Sequence, residues 1–253
     1  MRGVLVTGAS RGIGRAVAHA FAAAGDRVAV HYASSRAEAE RTLAALPGEG
    51  HVLVEGDLGD PAGAERIARA AHAGLGGVDV LVNNAAVATS QDNAHPVAGV
   101  SYEDWQRVWR RMVDVNLLGA ADLSYCVARL LIDRGAPGRI VHIGSRGAFR
   151  GEPDHPAYGA SKAALHALGQ SLAVALAPHG ISVTSVAPGF TATDRVADRL
   201  AGPSGQALRE QSPFGRVGTA EEVAAAVLYL ASAEATWASG TVLDLNGASH
   251  LRL

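Results

Sequence analysis

Short runs of apolar, largely β-branched residues recur along the chain, and each is followed by a longer stretch suited to a helix. No other feature narrows the possible folds as much. The runs lie at 3–7 (GVLVT), 27–33 (RVAVHYA), 51–55 (HVLVE), 78–83 (VDVLVN), 139–144 (RIVHIG), 181–187 (ISVTSVA) and 241–245 (TVLDL). Most are nearly continuous in apolar side chains, as in parallel strands covered on both faces. The helical stretches fall at about 12–24, 35–46, 60–74, 101–134, 157–178 and 219–231. Such alternation closes through right-handed crossovers into a doubly wound α/β fold. The expectation is a parallel seven-stranded sheet with helices on both faces. At 253 residues, 48% of them apolar, the chain fits one domain, 1–253, with a sizeable core.

Composition removes several function classes. Net charge is −2, so no nucleic-acid surface is expected. No apolar run approaches the roughly 20 residues of a membrane span, and 3–7 reads as a strand rather than a leader. A cytoplasmic protein without membrane contact is expected. The single cysteine, Cys126, permits no internal disulfide and no cysteine-based metal site. Ten histidines form no close ligand pair, so no metal is expected. The least regular stretch, 188–215, is rich in Gly, Pro and Ser. It follows the sixth strand, at the carboxyl edge where such sheets bind ligands. A loop this long predicts a substrate lid at about 190–215.

After the first strand comes Thr7-Gly8-Ala9-Ser10-Arg11-Gly12-Ile13-Gly14. A turn without side chains lets a pyrophosphate reach backbone N–H groups at a helix N-terminus. The second strand ends His31-Tyr32-Ala33-Ser34-Ser35-Arg36, with no acid to meet a ribose 2′-hydroxyl. Ser34, Ser35, Arg36 and Arg11 suit a 2′-phosphate, hence NADP(H). The plainer alternative is that Ser34 caps the next helix and Arg36 is solvated.

Of 22 basic residues, all are arginine except Lys162. It lies four residues after Tyr158, one turn along a helix. A phenol with pKa about 10 needs a shift of about 3 units, or roughly 4 kcal/mol, to act near neutral pH. An ammonium about 4 Å away at an effective dielectric near 20 supplies about that much. Ser145, just past strand five, would hold a carbonyl oxygen beside the phenol. The competing reading is an ordinary pair on a helix surface. The lone lysine favours function, because a guanidinium does not replace a compact ammonium that must donate to ribose hydroxyls.

These residues resemble the short-chain dehydrogenases/reductases over nearly the whole chain. The nearest branch is similar to the 3-oxoacyl-carrier-protein reductases. Gly8, Ser10, Arg11, Gly12, Ile13 and Gly14 match the family's cofactor turn. Asp57 and Leu58 stand where it holds the adenine. Asn83-Asn84-Ala85-Ala86 matches its Asn-Asn-Ala-Gly motif, with Ala86 in place of glycine. Pro188, Gly189, Thr191 and Thr193 match the loop that closes on the nicotinamide. Asn116, Ser145, Tyr158 and Lys162 match the catalytic tetrad.

The resemblance implies a Rossmann-like fold and an NADP(H)-dependent oxidoreductase interconverting a ketone and a secondary alcohol. Tyr158 would exchange the proton, Ser145 orient the oxygen, Lys162 hold the nicotinamide ribose and Asn116 position a water. It implies a small-molecule substrate and a homotetramer pairing the long helices; Trp105, Trp109 and Leu117 serve that contact or an ordinary core. Val174 replaces an arginine of several carrier-protein reductases, which weakens the carrier reading. A 3-oxoacyl compound or small ketone is the expected substrate; a sugar, steroid or other secondary alcohol, or an inactive nucleotide sensor, are the alternatives. Arg146 and Arg150 flank the substrate mouth, there to meet an anion or simply solvated.

Overall fold

A computed structural model describes residues 1–252. Its sheet is built from β1 (Gly3–Val6), β2 (Arg27–Tyr32), β3 (Val52–Glu55), β4 (Val80–Asn83), β5 (Gly138–Ile143), β6 (Ile181–Pro188) and β9 (Val242–Leu245). All neighbours are parallel, in the order β3-β2-β1-β4-β5-β6-β9. The intervening helices are α1 (Gly12–Ala23), α2 (Arg36–Ala45), α3 (Gly63–Leu75), α4 (Tyr102–Val113), α5 (Gly119–Asp133), α6 (Gly147–Arg150), α7 (Pro156–Leu176), α8 (Ala197–Ala201), α9 (Gly205–Arg209) and α10 (Ala220–Leu230). This is the Rossmann-like architecture expected from the strand–helix alternation.

The continuous apolar runs are explained by two cores. Val4 and Val6 of β1 face a cluster with Val17 and Phe21 of α1 and Val223 and Val227 of α10. Leu5, between them, faces the opposite cluster, with Ile67 and Leu75 of α3, Leu123 and Val127 of α5, and Val183 of β6. Each strand residue therefore has an apolar partner whichever side it points to.

Three features depart from the sequence reading. The stretch 101–134 is one helix, α4 running into α5, but it is interrupted by a π-turn at Asp114–Leu118. This helix is also long and apolar enough, by length and composition, to cross a membrane, with an 18-residue window of mean hydropathy 1.4. The expectation that no run is that apolar is thereby corrected; half of the window is buried inside the fold, where α5 packs in the second core. The irregular stretch 190–215 contains β7 (Thr191–Ala192), α8 and α9, and β7 pairs with β8 (Gly218–Thr219).

At the amino end of the strands, polar groups knit the helices to the sheet. Arg2 donates to Asp26 and to the Ala231 carbonyl. Asp79 accepts from the Gly3 N–H and from Arg134, and Arg139 reaches Ser232 and Thr236.

Candidate active site

The carboxyl ends of β1, β4, β5 and β6 converge on a cleft of about 250 Å³. The glycine turn forms one wall. Gly8 and Gly12 have φ of 62° and 55°, which only glycine adopts cheaply. A Cβ on Gly14 would lie 2.3 Å from the Gly8 carbonyl oxygen and 2.5 Å from Asn84 Nδ2, so the packing of turn on helix requires its absence. No side chain caps the start of α1, and its first N–H groups are open to a ligand. Arg11, Gly12, Ile13, Gly14, Asn84, Ala85, Ser145, Tyr158, Lys162, Pro188, Gly189, Thr191 and Thr193 all line this cleft.

Two residues that the sequence reading gave no role hold the turn. The Thr7 hydroxyl accepts the backbone N–H groups of Asn84 and Ala85, at 2.9 and 3.0 Å. Asn84 Nδ2 donates to the Thr7 and Gly8 carbonyls. His31 Nδ1 accepts the Gly8 N–H at 3.1 Å, while Nε2 lies 3.0 Å from the Gly56 carbonyl. Those partners fix the Nε2–H tautomer, and burial lowers the His31 pKa to about 4, keeping the ring neutral. A histidine ending a strand carries no sequence signal for this task.

The expected adenosine contacts lie outside the cleft. Ser10 is buried, and its carbonyl accepts from Thr42. Ser34 is exposed and Ser35 partly so. Arg36 is exposed, donates to Glu40 at 2.9 Å and lies 3.9 Å from Glu55. Glu55 is an acid the sequence reading missed: register sets it opposite Tyr32, whose hydroxyl it accepts at 3.0 Å. Leu58 is buried in the second core. Asp57 is raised by partial burial, but the Gly59 N–H and Arg111 outweigh this and hold its carboxyl below the usual range.

Lys162 is only 3% exposed, so the surface-pair reading fails. Its Nζ donates to the Ile143 carbonyl at 2.8 Å and lies 5.9 Å from the centroid of the Tyr158 ring. Burial lowers its pKa to about 8. Asn116 is buried in the π-turn. Its Oδ1 accepts the Val87 N–H at 2.7 Å, and Nδ2 donates to the Val87 carbonyl and to Ser161 Oγ. Ser161 in turn donates to the Tyr158 carbonyl at 2.9 Å. Asn116 thus ties the loop after β4 to the turn of α7 that carries the tyrosine, with Ser161 as an unforeseen link.

A second cavity of about 750 Å³ adjoins the first. Ser145 and Tyr158 line both. Lys162 lines only the glycine-turn side, and Arg146 and Arg150 line only the other. A hydroxyl and a phenol at the junction of two compartments suit transfer between two bound molecules.

The chain belongs to the short-chain dehydrogenase/reductase family of oxidoreductases. Residues 8–250 match the family model described as enoyl-(acyl carrier protein) reductase. The chain is 36% identical over 251 residues to 3beta-hydroxysteroid dehydrogenase 1 of Eggerthella lenta, covering 98% of this chain and 93% of that one. It is 37% identical to the 3-oxoacyl-(acyl-carrier-protein) reductase FabG of Escherichia coli, covering 98% and 96%. Among solved structures, a short chain dehydrogenase from Burkholderia cenocepacia in complex with NADP matches with a TM-score of 0.85 and 32% identity, over 98% and 97% of the two chains.

Proposed function

We propose that this protein is an NADP(H)-dependent oxidoreductase that interconverts a ketone and a secondary alcohol. The observation that carries the reading is that Ser145 and Tyr158 line both cavities. The nucleotide fits the smaller one: a Cβ-free cradle at Gly8, Gly12 and Gly14 meets the uncapped start of α1, as a pyrophosphate requires. When bound, NADP(H) supplies or accepts the hydride.

The chain's own residues do the rest. Tyr158 gives its proton to the carbonyl oxygen, or takes it from the alcohol. The Ser145 hydroxyl holds that oxygen in place. Lys162, a buried ammonium whose one hydrogen-bond acceptor among the described residues is the Ile143 carbonyl, has donors left for ribose hydroxyls. Its Nζ lies 5.9 Å from the centroid of the Tyr158 ring, and a separation of about 6 Å at an effective dielectric near 20 favours a phenolate by roughly 3 kcal/mol. Asn116 is a positioning residue, acting through Ser161 on the backbone of Tyr158. The adenosine end would meet Ser10, Ser34, Ser35, Arg36, Asp57 and Leu58, with Arg11 and Arg36 facing the 2′-phosphate; Arg36 must then leave Glu40.

The substrate is a 3-oxoacyl compound or small ketone, segment 190–215 closes over it, and the protein works as a cytoplasmic homotetramer. The test is a panel of ketones with NADPH and NADH, followed at the nicotinamide absorbance, with Tyr158→Phe as control. Faster turnover with NADPH, abolished in Tyr158→Phe, is expected. NADPH binding without turnover of any ketone or alcohol would leave a nucleotide sensor instead.

A further inference from the structure

The larger cavity holds an arrangement that proton transfer does not use. Arg146 follows Ser145 directly and is 7% exposed. Burying a guanidinium is costly unless an anion faces it, and most arginines at this protein's surface have a carboxylate partner. Arg146 has none among the described residues. Its Nη1 donates to Ser249 Oγ and its Nη2 to Gln211 Oε1, both neutral acceptors. Arg150, one helical turn on, donates to the same Gln211 oxygen at 3.5 Å. Two cations therefore converge on one amide oxygen in the wall of the cavity that Tyr158 and Ser145 also line. Glu152 and Asp154 line the cavity too, but neither is within ion-pairing distance of either arginine. Burial and then the neighbouring Arg150 hold Arg146 below the usual guanidinium range, and the more distant Glu152 offsets only part of this.

We infer that Arg146 and Arg150 bind a carboxylate of the substrate, so that the compound reduced is an oxo acid and the compound oxidised a hydroxy acid. Gln211 Oε1 occupies the position of one carboxylate oxygen, and the substrate displaces it. Arginine suits this task through its fork of parallel donors. Gln211 lies in the stretch between α9 and β8, so the same contact reports to segment 190–215 whether the anion is present. Ser249, the other partner, is carried on the turn after β9 where Gly247 and Ala248 both have positive φ, 58° and 57°. A non-glycine residue is uncommon there, and the Ser249 hydroxyl is held in place by donating to the Asn246 carbonyl at 2.7 Å.

The inference rests on the ketone–alcohol reading, so its test has a turnover arm and a binding arm. In the first, oxo acids are compared with their methyl esters on the same carbon skeleton, with NADPH. The wild type should prefer the acid by at least about tenfold in kcat/KM, and Arg150→Gln should remove most of that preference, lowering kcat/KM for the acid far more than for the ester. Equal efficiency for acid and ester, or a preference that survives Arg150→Gln and Arg146→Gln, overturns the inference. In the second, hexanoate, hexanamide and hexyl phosphate are titrated into the NADP+-loaded protein, where no chemistry is needed. Hexanoate should bind at least tenfold more tightly than hexanamide, and lose that margin in Arg150→Gln. Hexyl phosphate binding more tightly than hexanoate would replace the carboxylate with a phosphate ester and overturn the stated class. If the binding arm succeeds and no ketone turns over, the anion site stands and the reductase reading falls. If ketones turn over and neither arm discriminates, the reverse holds.

Discussion

At the scale of single residues, Lys162 carries the sharpest expectations. Its ammonium is enclosed and aimed at the Ile143 carbonyl, so Lys162→Arg keeps charge but not shape. Turnover at saturating NADPH should fall at least tenfold, with circular dichroism unchanged; retention of more than half the turnover would reduce the lysine to a buried structural ion. The lowered pKa has a further consequence. Between the folded value of about 8 and the unfolded 10.5, the folded chain binds fewer protons than the unfolded one. Stability therefore rises with pH across that window, by up to about 3 kcal/mol. Over the same range the ammonium that would hold ribose is lost, so NADPH affinity falls. The urea midpoint and the NADPH dissociation constant should thus both rise from pH 7.5 to 9.5, stability growing as affinity falls. The difference between wild type and Lys162→Met isolates this contribution; affinity that does not weaken selectively in the wild type would remove Lys162 from the ribose site.

At the scale of elements, the glycine turn and the lid make separate predictions. Gly14→Ala places a methyl group 2.3 Å from the Gly8 carbonyl, against backbone that has nowhere to go. Gly25→Ala meets nothing within 4 Å and bears only the strain of φ 87°. NADPH affinity should collapse by a hundredfold or more in the first variant and stay within twofold in the second, although the second loses about 1 kcal/mol of stability. Segment 190–215 is tied down by Gln211 on Arg146 and by Ser212 on the Gly247 carbonyl. Its amide hydrogens should exchange more slowly with NADPH and substrate bound than without; equal protection would remove the lid. The seven sheet strands were legible in the sequence because most are apolar on both faces, and the glycine turn and the Tyr158–Lys162 spacing because they are local. The π-turn was not, since a shift in backbone hydrogen bonding changes no composition. Nor was the link from Asn116 through Ser161, or the pairing of Glu55 with Tyr32, because both depend on register between distant segments.

At the scale of the whole molecule, three buried histidines set the acid limit. Burial lowers His31 and His166 from 6.5 to about 4, and His142 to about 3. Each contributes stability that is fully present above pH 6.5 and lost as pH falls toward the folded value, since the unfolded chain takes up protons first. The slope is up to about 1.4 kcal/mol per pH unit for each histidine. The urea midpoint should drop steeply between pH 6.5 and 4, and His142→Leu should flatten that drop by one proton's worth; a flat profile would mean the rings are not held neutral. The wholly parallel sheet has one further effect. Every strand ends on the side of the sheet that holds the cleft and begins at the opposite pole, where Arg2, Asp26, Asp79, Arg134 and Arg139 bind helices to strands. Heritable variation therefore sorts by hemisphere. Changes at one pole alter how much intact protein a cell retains, and changes at the other alter what each copy can do, so the substrate range can drift without endangering the scaffold.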